Sequence, residues 1–290
     1  MARWKNWSGR QQAAPEALHF LRSQADAAAL VNRARLDGKG IRVAGSGHSH
    51  SPLVLSSDWI IDVSGLAGIT DVDHEQKTAW IYAGTPMYSL GRALHDEGLA
   101  LHNQGDIDRQ TIAGACATGT HGTGRKLGNM SSAVLAVEVI TGKGEVVICS
   151  ADHEPEFFAV ARLGLGAAGI ITRLQLQLRE SYKLRENGLD MAFSDLFQQL
   201  PELAASHDRF EFFWHPQSDR ATVKLTDETT DQPEYPLAEE GRRCAWNYEV
   251  LPSYRPHLHT EMEYSVAEEL GPACLAELRQ MIQTEFSEIR

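Results

Sequence analysis

The sequence is short of cysteine, of basic residues and of long apolar runs, and each shortage excludes a class of protein. Its four cysteines, Cys116, Cys149, Cys244 and Cys274, include no C-x-x-C pair. That spacing argues against a disulfide framework and for reduced thiols in a cytoplasm. Lysine and arginine number 27 against 39 acidic residues, a net charge of -12, which opposes attraction to polyanions; neither nucleic acid nor an anionic membrane is an expected partner. No run of 18 apolar residues occurs, and Met1-Ala2-Arg3-Trp4-Lys5-Asn6-Trp7 lacks the apolar stretch of a signal peptide. The expectation is a soluble, cytoplasmic protein. Its 290 residues leave room for two domains at roughly 100 to 200 residues each, and neither an internal repeat nor a low-complexity tract interrupts them.

Familiar catalytic signatures are incomplete. Gly45-Ser46-Gly47-His48-Ser49-His50 lacks the third glycine of the dinucleotide fingerprint, and Pro52 follows where a helix should begin. Gly119 to Arg125 approaches a Walker A loop, but Arg125 stands where lysine is required and Leu127 follows Lys126, leaving no hydroxyl for magnesium. There is no G-x-S-x-G elbow. Two H-x-H pairs, His48-Ser49-His50 and His257-Leu258-His259, offer imidazoles, yet no carboxylate or cysteine stands at a familiar ligand spacing and no metal is assigned.

What is present is a mixture of strands and helices. Ala17 to Phe20 reads as a strand; Ser23 with Asp26 caps a helix that runs to Asp37 and stops at Gly38 and Gly40. Ile41 to Ala44, Trp59 to Val63 and Ala79 to Ala83 read as strands, the last two separated by the polar stretch Asp71 to Glu75, taken as a turn. Met87 to Glu97 is a helix closed by Gly98. Val134 to Ile140 and Glu145 to Cys149 form a hairpin about Thr141-Gly142-Lys143-Gly144. A helix over Glu154 to Leu163 and a strand over Ile170 to Leu178 follow. Near Arg185 the pattern resets: helix at Ser194 to Ala205, strand at Phe210 to Trp214, charged loop at Asp227 to Arg243, alternating strand at Met262 to Val266 and helix at Ala267 to Phe286.

Two stretches stand apart. Val43-Ala44-Gly45-Ser46-Gly47-His48-Ser49-His50 reads as a strand opening into a glycine loop whose backbone N–H groups can hold phosphates. Thr111 to Gly124 is built of small residues. With so little side chain it is either disordered or lets the backbone lie against something bulky, and the apolar flanks favour the second reading. Each stretch follows a strand, each carries a histidine among glycines, and neither has an evident packing purpose. Together they fit one large flat ligand with a pyrophosphate.

These residues, with Gly105-Asp106-Ile107, Thr118-Gly119-Thr120-His121-Gly122-Thr123-Gly124 and Gly166-Ala167-Ala168-Gly169-Ile170-Ile171, resemble in order the FAD-binding domain of the vanillyl-alcohol-oxidase (PCMH-type) superfamily. Trp4-x-x-Trp7-Ser8-Gly9 and Glu261-Met262-Glu263-Tyr264-Ser265-Val266 resemble its sugar-1,4-lactone oxidases, the D-arabinono and L-gulono group, with alditol oxidases nearby. The resemblance implies an α+β fold: a two-subdomain FAD-binding domain over residues 13–183 and a partial α+β substrate (cap) domain over 184–290. It implies FAD covalently held through His48, with Val43, Ala44, Gly45, Ser46, Gly47 and Ser49 at the pyrophosphate. Thr111, Gly114, Thr118, Gly119, Thr120, His121, Gly122, Thr123 and Gly124 would line the flavin, and the backbone of Ile170 the adenine. No role follows for Asp106 or Arg109, and Lys126 reads as a solvated charge.

The implied reaction is oxidation of a CH–OH group of a sugar lactone or polyol by hydride transfer to flavin N5, with oxygen or another compound as acceptor. No catalytic residue is assigned. Glu288 and Arg290 match an E-x-R substrate pair, while the family's H-W-G-K-like motif is missing. The expectation is therefore a fragment, or a chain completed by a second polypeptide, and a flavin-binding module without turnover is the alternative.

Overall fold

The computed structural model describes residues 2–286. Two compact units divide the chain. The first comprises Met1–Gly122, Leu127–Ser181 and Leu251–Glu261; the second comprises Thr123–Lys126, Tyr182–Val250 and Met262–Arg290. The expected boundary at 183/184 stands beside the change of unit after Ser181, but neither unit is continuous. Residues 251–261 return to the first because the Ser253 N–H donates to the Asp106 carbonyl at 2.7 Å.

After a short antiparallel ribbon of Trp4–Lys5 and Gln12–Ala13, the first unit continues with β1 (Ala17–Phe20), α1 (Gln24–Leu36), β2 (Ile41–Ala44) and β3 (Trp59–Asp62), the strands forming a parallel sheet in the order β1-β3-β2. Ser23 caps α1 as read, its Oγ accepting from the Asp26 N–H at 3.1 Å, and Asp26 in turn accepts from the Arg22 N–H. Ala27 and Val31 of α1 pack with Leu21, Ile61, Val63 and Leu66 into a small core. A βαβ crossover of this kind buries the sheet under its helix, and it leaves the loop after β2 at the C-terminal strand ends.

A second sheet follows, built from β4 (Ile69–Asp73), β5 (Thr78–Tyr82), β6 (Val134–Ile140), β7 (Val146–Ser150) and β8 (Ile170–Gln177) in the antiparallel order β7-β6-β8-β5-β4. The helices α2 (Met87–Asp96), α3 (Ile112–Ala117) and α4 (Pro155–Arg162) cover it. Leu90, Leu94, Ile112, Cys116 and Phe158 meet Ile81, Val137, Val139 and Leu174 in the larger core. The stretch Asp71 to Glu75 read as a turn is corrected: Asp71-Val72-Asp73 belongs to β4, paired with β5, and the turn falls on residues 74–77. Acidic side chains suit this edge strand, since charge there discourages further pairing.

The second unit pairs β9 (Lys183–Ala192), β10 (Arg209–His215), β11 (Arg220–Thr229) and β12 (Cys244–Trp246) antiparallel in the order β10-β11-β9-β12. Along β11 the side chains alternate: Ala221, Val223 and Leu225 pack with Leu196 of α5 (Phe193–Ser206), while Lys224 points to the other face. Three expectations are corrected here. The charged loop begins only after Thr229, because β11 extends into it. Residues 262–266 form no strand, since no strand edge pairs with them, and they are exposed. The last helix, α6 (Gly271–Glu285), starts four residues later than read, after a single tight turn at Glu268–Leu270. Among the described residues no helix is long and apolar enough to cross a membrane.

Candidate functional site

The loop after β2 is held by its carbonyls. The Trp7 N–H donates to the Gly47 carbonyl at 2.7 Å, Asn6 Nδ2 to the Ser49 carbonyl at 3.0 Å and Gln11 Nε2 to the His50 carbonyl at 3.2 Å. Among the described residues no acceptor lies against the backbone N–H groups of Ser46, Gly47, His48 and Ser49. Tying back the carbonyls leaves these backbone N–H donors without a protein partner, as an anion-binding loop requires. Gly47 takes φ +70°, which only glycine adopts cheaply. Val43 and Ala44 contribute the strand that aims the loop, their side chains packed inward.

The second stretch has a packing purpose after all, which corrects the sequence reading. Residues 112–117 are the helix α3, and Ile112, Ala113, Ala115, Cys116 and Ala117 are buried. Burial pushes the Cys116 thiol up to about 12, so it packs as a small apolar group and not as a nucleophile. Thr111 caps the helix, its Oγ1 accepting from the Gly114 N–H at 3.3 Å, and Gly119 ends it at φ +69°. Thr118 Oγ1 donates to the Gly114 carbonyl at 2.9 Å, and Gln110 Nε2 donates to Thr120 Oγ1 at 3.1 Å. Small residues let this helix sit close to the sheet; of its threonines, Thr111 is buried and Thr118 is exposed.

The two stretches meet. A Cβ placed on Gly45 would stand 2.3 Å from Thr111 Oγ1, and one on Gly122 would stand 2.2 Å from the Gln104 carbonyl. Gly45, Thr111 and Gly114 therefore lie together beside the free N–H groups, with the Thr111 side chain packed against both glycines. The residues present fit a dinucleotide with a pyrophosphate, as four unpaired donors with glycines beside them require.

His48 lies at the tip of the first loop, half-buried and stacked on Trp7 at 5.3 Å between ring centroids. Its pKa is held below the usual imidazole value, first by burial and then by the neighbouring His50 and the Arg109 guanidinium, with Asp108 opposing. Arg109 is thus an electrostatic neighbour of His48, a role sequence reasoning did not find; it pairs with Asp108 at 3.2 Å and covers the Tyr88 ring. Asp106 is also engaged, by Arg255 at 3.5 Å.

The remaining expected positions are scattered. Ile170 begins β8 with its side chain in the smaller core, leaving only backbone for a ligand. His121 is exposed, with Nδ1 donating to the Gly122 carbonyl at 2.8 Å. Thr123 and Gly124 belong to the second unit. Glu288 and Arg290 lie outside the described residues. Asn6 and Gln11, which secure the first loop, carried no signal beyond their place beside the Trp4-x-x-Trp7 pattern.

The fold is that of an FAD-binding domain of PCMH type. Residues 15–150 match the family described as FAD binding domain, and residues 174–254 match D-arabinono-1,4-lactone oxidase. L-gulono-1,4-lactone dehydrogenase of Mycobacterium tuberculosis is 34% identical over 79% of this chain and 53% of its own length. D-arabinono-1,4-lactone oxidase of Eremothecium gossypii is 31% identical over 84% of this chain and 46% of its own. Among solved structures, 6-hydroxy-D-nicotine oxidase from Arthrobacter nicotinovorans superposes with a TM-score of 0.70 at 22% identity, covering 85% of this chain and 59% of that one. The chain belongs to the FAD-binding sugar-1,4-lactone oxidase and dehydrogenase family. It spans about half the length of the curated relatives it matches.

Proposed function

We propose that this chain serves an FAD-dependent oxidation of a CH–OH group of a sugar-1,4-lactone of the D-arabinono or L-gulono type, with oxygen as acceptor and FAD joined covalently to His48. The observation that carries the reading is the meeting of the two glycine stretches at Gly45 and Thr111, with His48 beside the free N–H groups. Bound FAD supplies the two-electron chemistry, taking hydride from the carbon that bears the hydroxyl. The protein's part is to bind and orient. Free N–H groups of Ser46 to Ser49 would hold phosphate oxygens, and Thr111, Gly114, Thr118, Gly119, Thr120, His121 and Gly122 would line the flavin. The Ile170 backbone serves the adenine end. Substrate is assigned to Glu288 and Arg290. Anaerobic addition of gulono- or arabinono-1,4-lactone to the yellow protein is expected to bleach its visible absorption. Bleaching by xylitol alone would move the substrate class to alditols, and an unchanged spectrum with all three would overturn the activity of this chain.

Forming the link would use the lone pair of a neutral imidazole, with a proton lost from the flavin 8α carbon and two electrons passing into the flavin, which the acceptor would then take up. Because the folded pKa of His48 lies below 6.5, the ring stays neutral as pH falls past the value at which an ordinary histidine protonates. Its eventual protonation also costs stability, since the unfolded chain then binds the proton more readily. Acid precipitation is expected to give a yellow pellet, colourless in His48→Ala, which still binds FAD without the bond. The half-fall of incorporation should lie below the ordinary histidine value, and Arg109→Gln should move it upward. A half-fall at or above the ordinary histidine value in the wild type would count against the neutral-imidazole account.

A further inference from the structure

The two H-x-H pairs meet in space. His50, on the loop after β2, lies with His259 and Glu261 of the returning segment, and one ligand atom from each falls within 4.8 Å of the others. All three belong to the first unit. Glu261 stands between the imidazoles: Oε1 is 3.4 Å from His50 Nε2 and Oε2 is 3.6 Å from His259 Nε2. Ligands about 2.0–2.1 Å from a tetrahedral zinc ion stand roughly 3.3 Å apart; each nitrogen–oxygen separation, one to each carboxylate oxygen, is near that value, and the three ligand atoms lie within 4.8 Å of one another.

The hydrogen bonding at His259 sharpens the case. Its Nδ1 is 2.9 Å from the His257 carbonyl, which only accepts, so the ring proton sits on Nδ1 and Nε2 carries a lone pair. That lone pair faces a carboxylate oxygen. Two acceptors face each other stably only with a proton or a cation between them, and a backbone carbonyl on the far nitrogen is the usual second support of a metal-bound histidine. His50 is less exposed than its partners, and its buried Nδ1 meets no hydrogen-bonding group. The Trp7 ring stands edge-on to both imidazoles, at 5.1 Å from His259 and 6.4 Å from His50, and limits their rotation.

We propose that His50, His259 and Glu261 bind a divalent transition-metal ion of the zinc type, which clips the 251–261 segment onto the candidate cofactor loop. Two neutral imidazoles and one carboxylate suit zinc better than calcium or magnesium. Three protein ligands leave a fourth position for water. The site is separate from the flavin reading and stands whether or not FAD is covalent.

The test uses the full chain, stripped with chelator, dialysed against low-micromolar zinc and assayed for bound metal by elemental analysis and by competition with a chromogenic zinc dye. The wild type is expected to hold one zinc per chain. His259→Ala and Glu261→Gln should each bind at least tenfold more weakly. His257→Ala, which keeps the supporting backbone carbonyl, should bind like the wild type. Glu261 is largely exposed and His259 partly so, and unchanged circular dichroism will show that the variants fold. No zinc in the wild type, unweakened binding in His259→Ala, or an equal loss in His257→Ala would each overturn the site.

Discussion

Replacing Glu186 by glutamine is expected to destabilise the second unit by about 3–5 kcal/mol, the cost of leaving a buried charge without its partner. The Glu186 side chain is 0% exposed, accepts three hydrogen bonds and faces a further cation. Arg243 donates through Nε and Nη2 at 2.6 Å each, the Gly241 N–H donates at 3.0 Å, and Lys224 Nζ lies at 3.4 Å. Burial alone would lower the Lys224 pKa, but Glu211, Glu186 and Glu240 outweigh it and hold the ammonium above its usual value. An amide at position 186 would put N–H donors against those of Arg243 and remove the charge that both cations share. Urea unfolding followed by circular dichroism measures the loss. Glu186→Met with Arg243→Met should recover most of it, because removing both charges also removes the desolvation cost. A single-variant loss below about 1 kcal/mol would mean that water reaches the pair.

That cluster also shows where the sequence was opaque. Lys183 to Ala192 carries Arg185, Glu186, Asn187, Gly188 and Asp190, which matches neither a helical nor an alternating apolar pattern, yet it is one of the two ten-residue central strands of its sheet. Its charges are tolerated because β11, β12 and the connection before β12 bring partners from far along the chain. Local pattern cannot carry that information. Residues 262–266 fail in the opposite sense, since they alternate but have no edge to pair with. By contrast α1, α2 and the β6–β7 hairpin were legible, because each is punctuated by residues with local jobs: Ser23 as cap, Gly98 at φ +73° and Gly144 at φ +80°. The candidate site was legible in the same measure. Its glycines stand in sequence, but the contact of Gly45 with Thr111 and the meeting of His50 with His259 exist only once the chain is folded.

Gly45→Ala is expected to weaken FAD binding by roughly 100-fold, about 3 kcal/mol, through a clash between the two stretches. The new methyl would lie 2.3 Å from Thr111 Oγ1 and 3.3 Å from its Cγ2. Threonine is branched at Cβ, so rotation about χ1 exchanges one collision for another. Relief must come from moving Thr111, and Thr111 is the cap of α3 and bridges Pro86. The first loop is as tightly tied through Trp7, Asn6 and Gln11, so the separation of the loops and the aim of the free N–H groups change together. A covalent link would hide a change in affinity, so the measurement is made in a His48→Ala background, by titrating FAD and following quenching of its fluorescence. Thr111→Ala alone should cost about 1 kcal/mol of stability through the lost cap. Combined with Gly45→Ala it should restore much of the affinity, since the double variant removes the colliding atoms. Losses that simply add would show that Gly45 acts on FAD without Thr111, and the meeting of the two stretches would then not be what shapes the cradle.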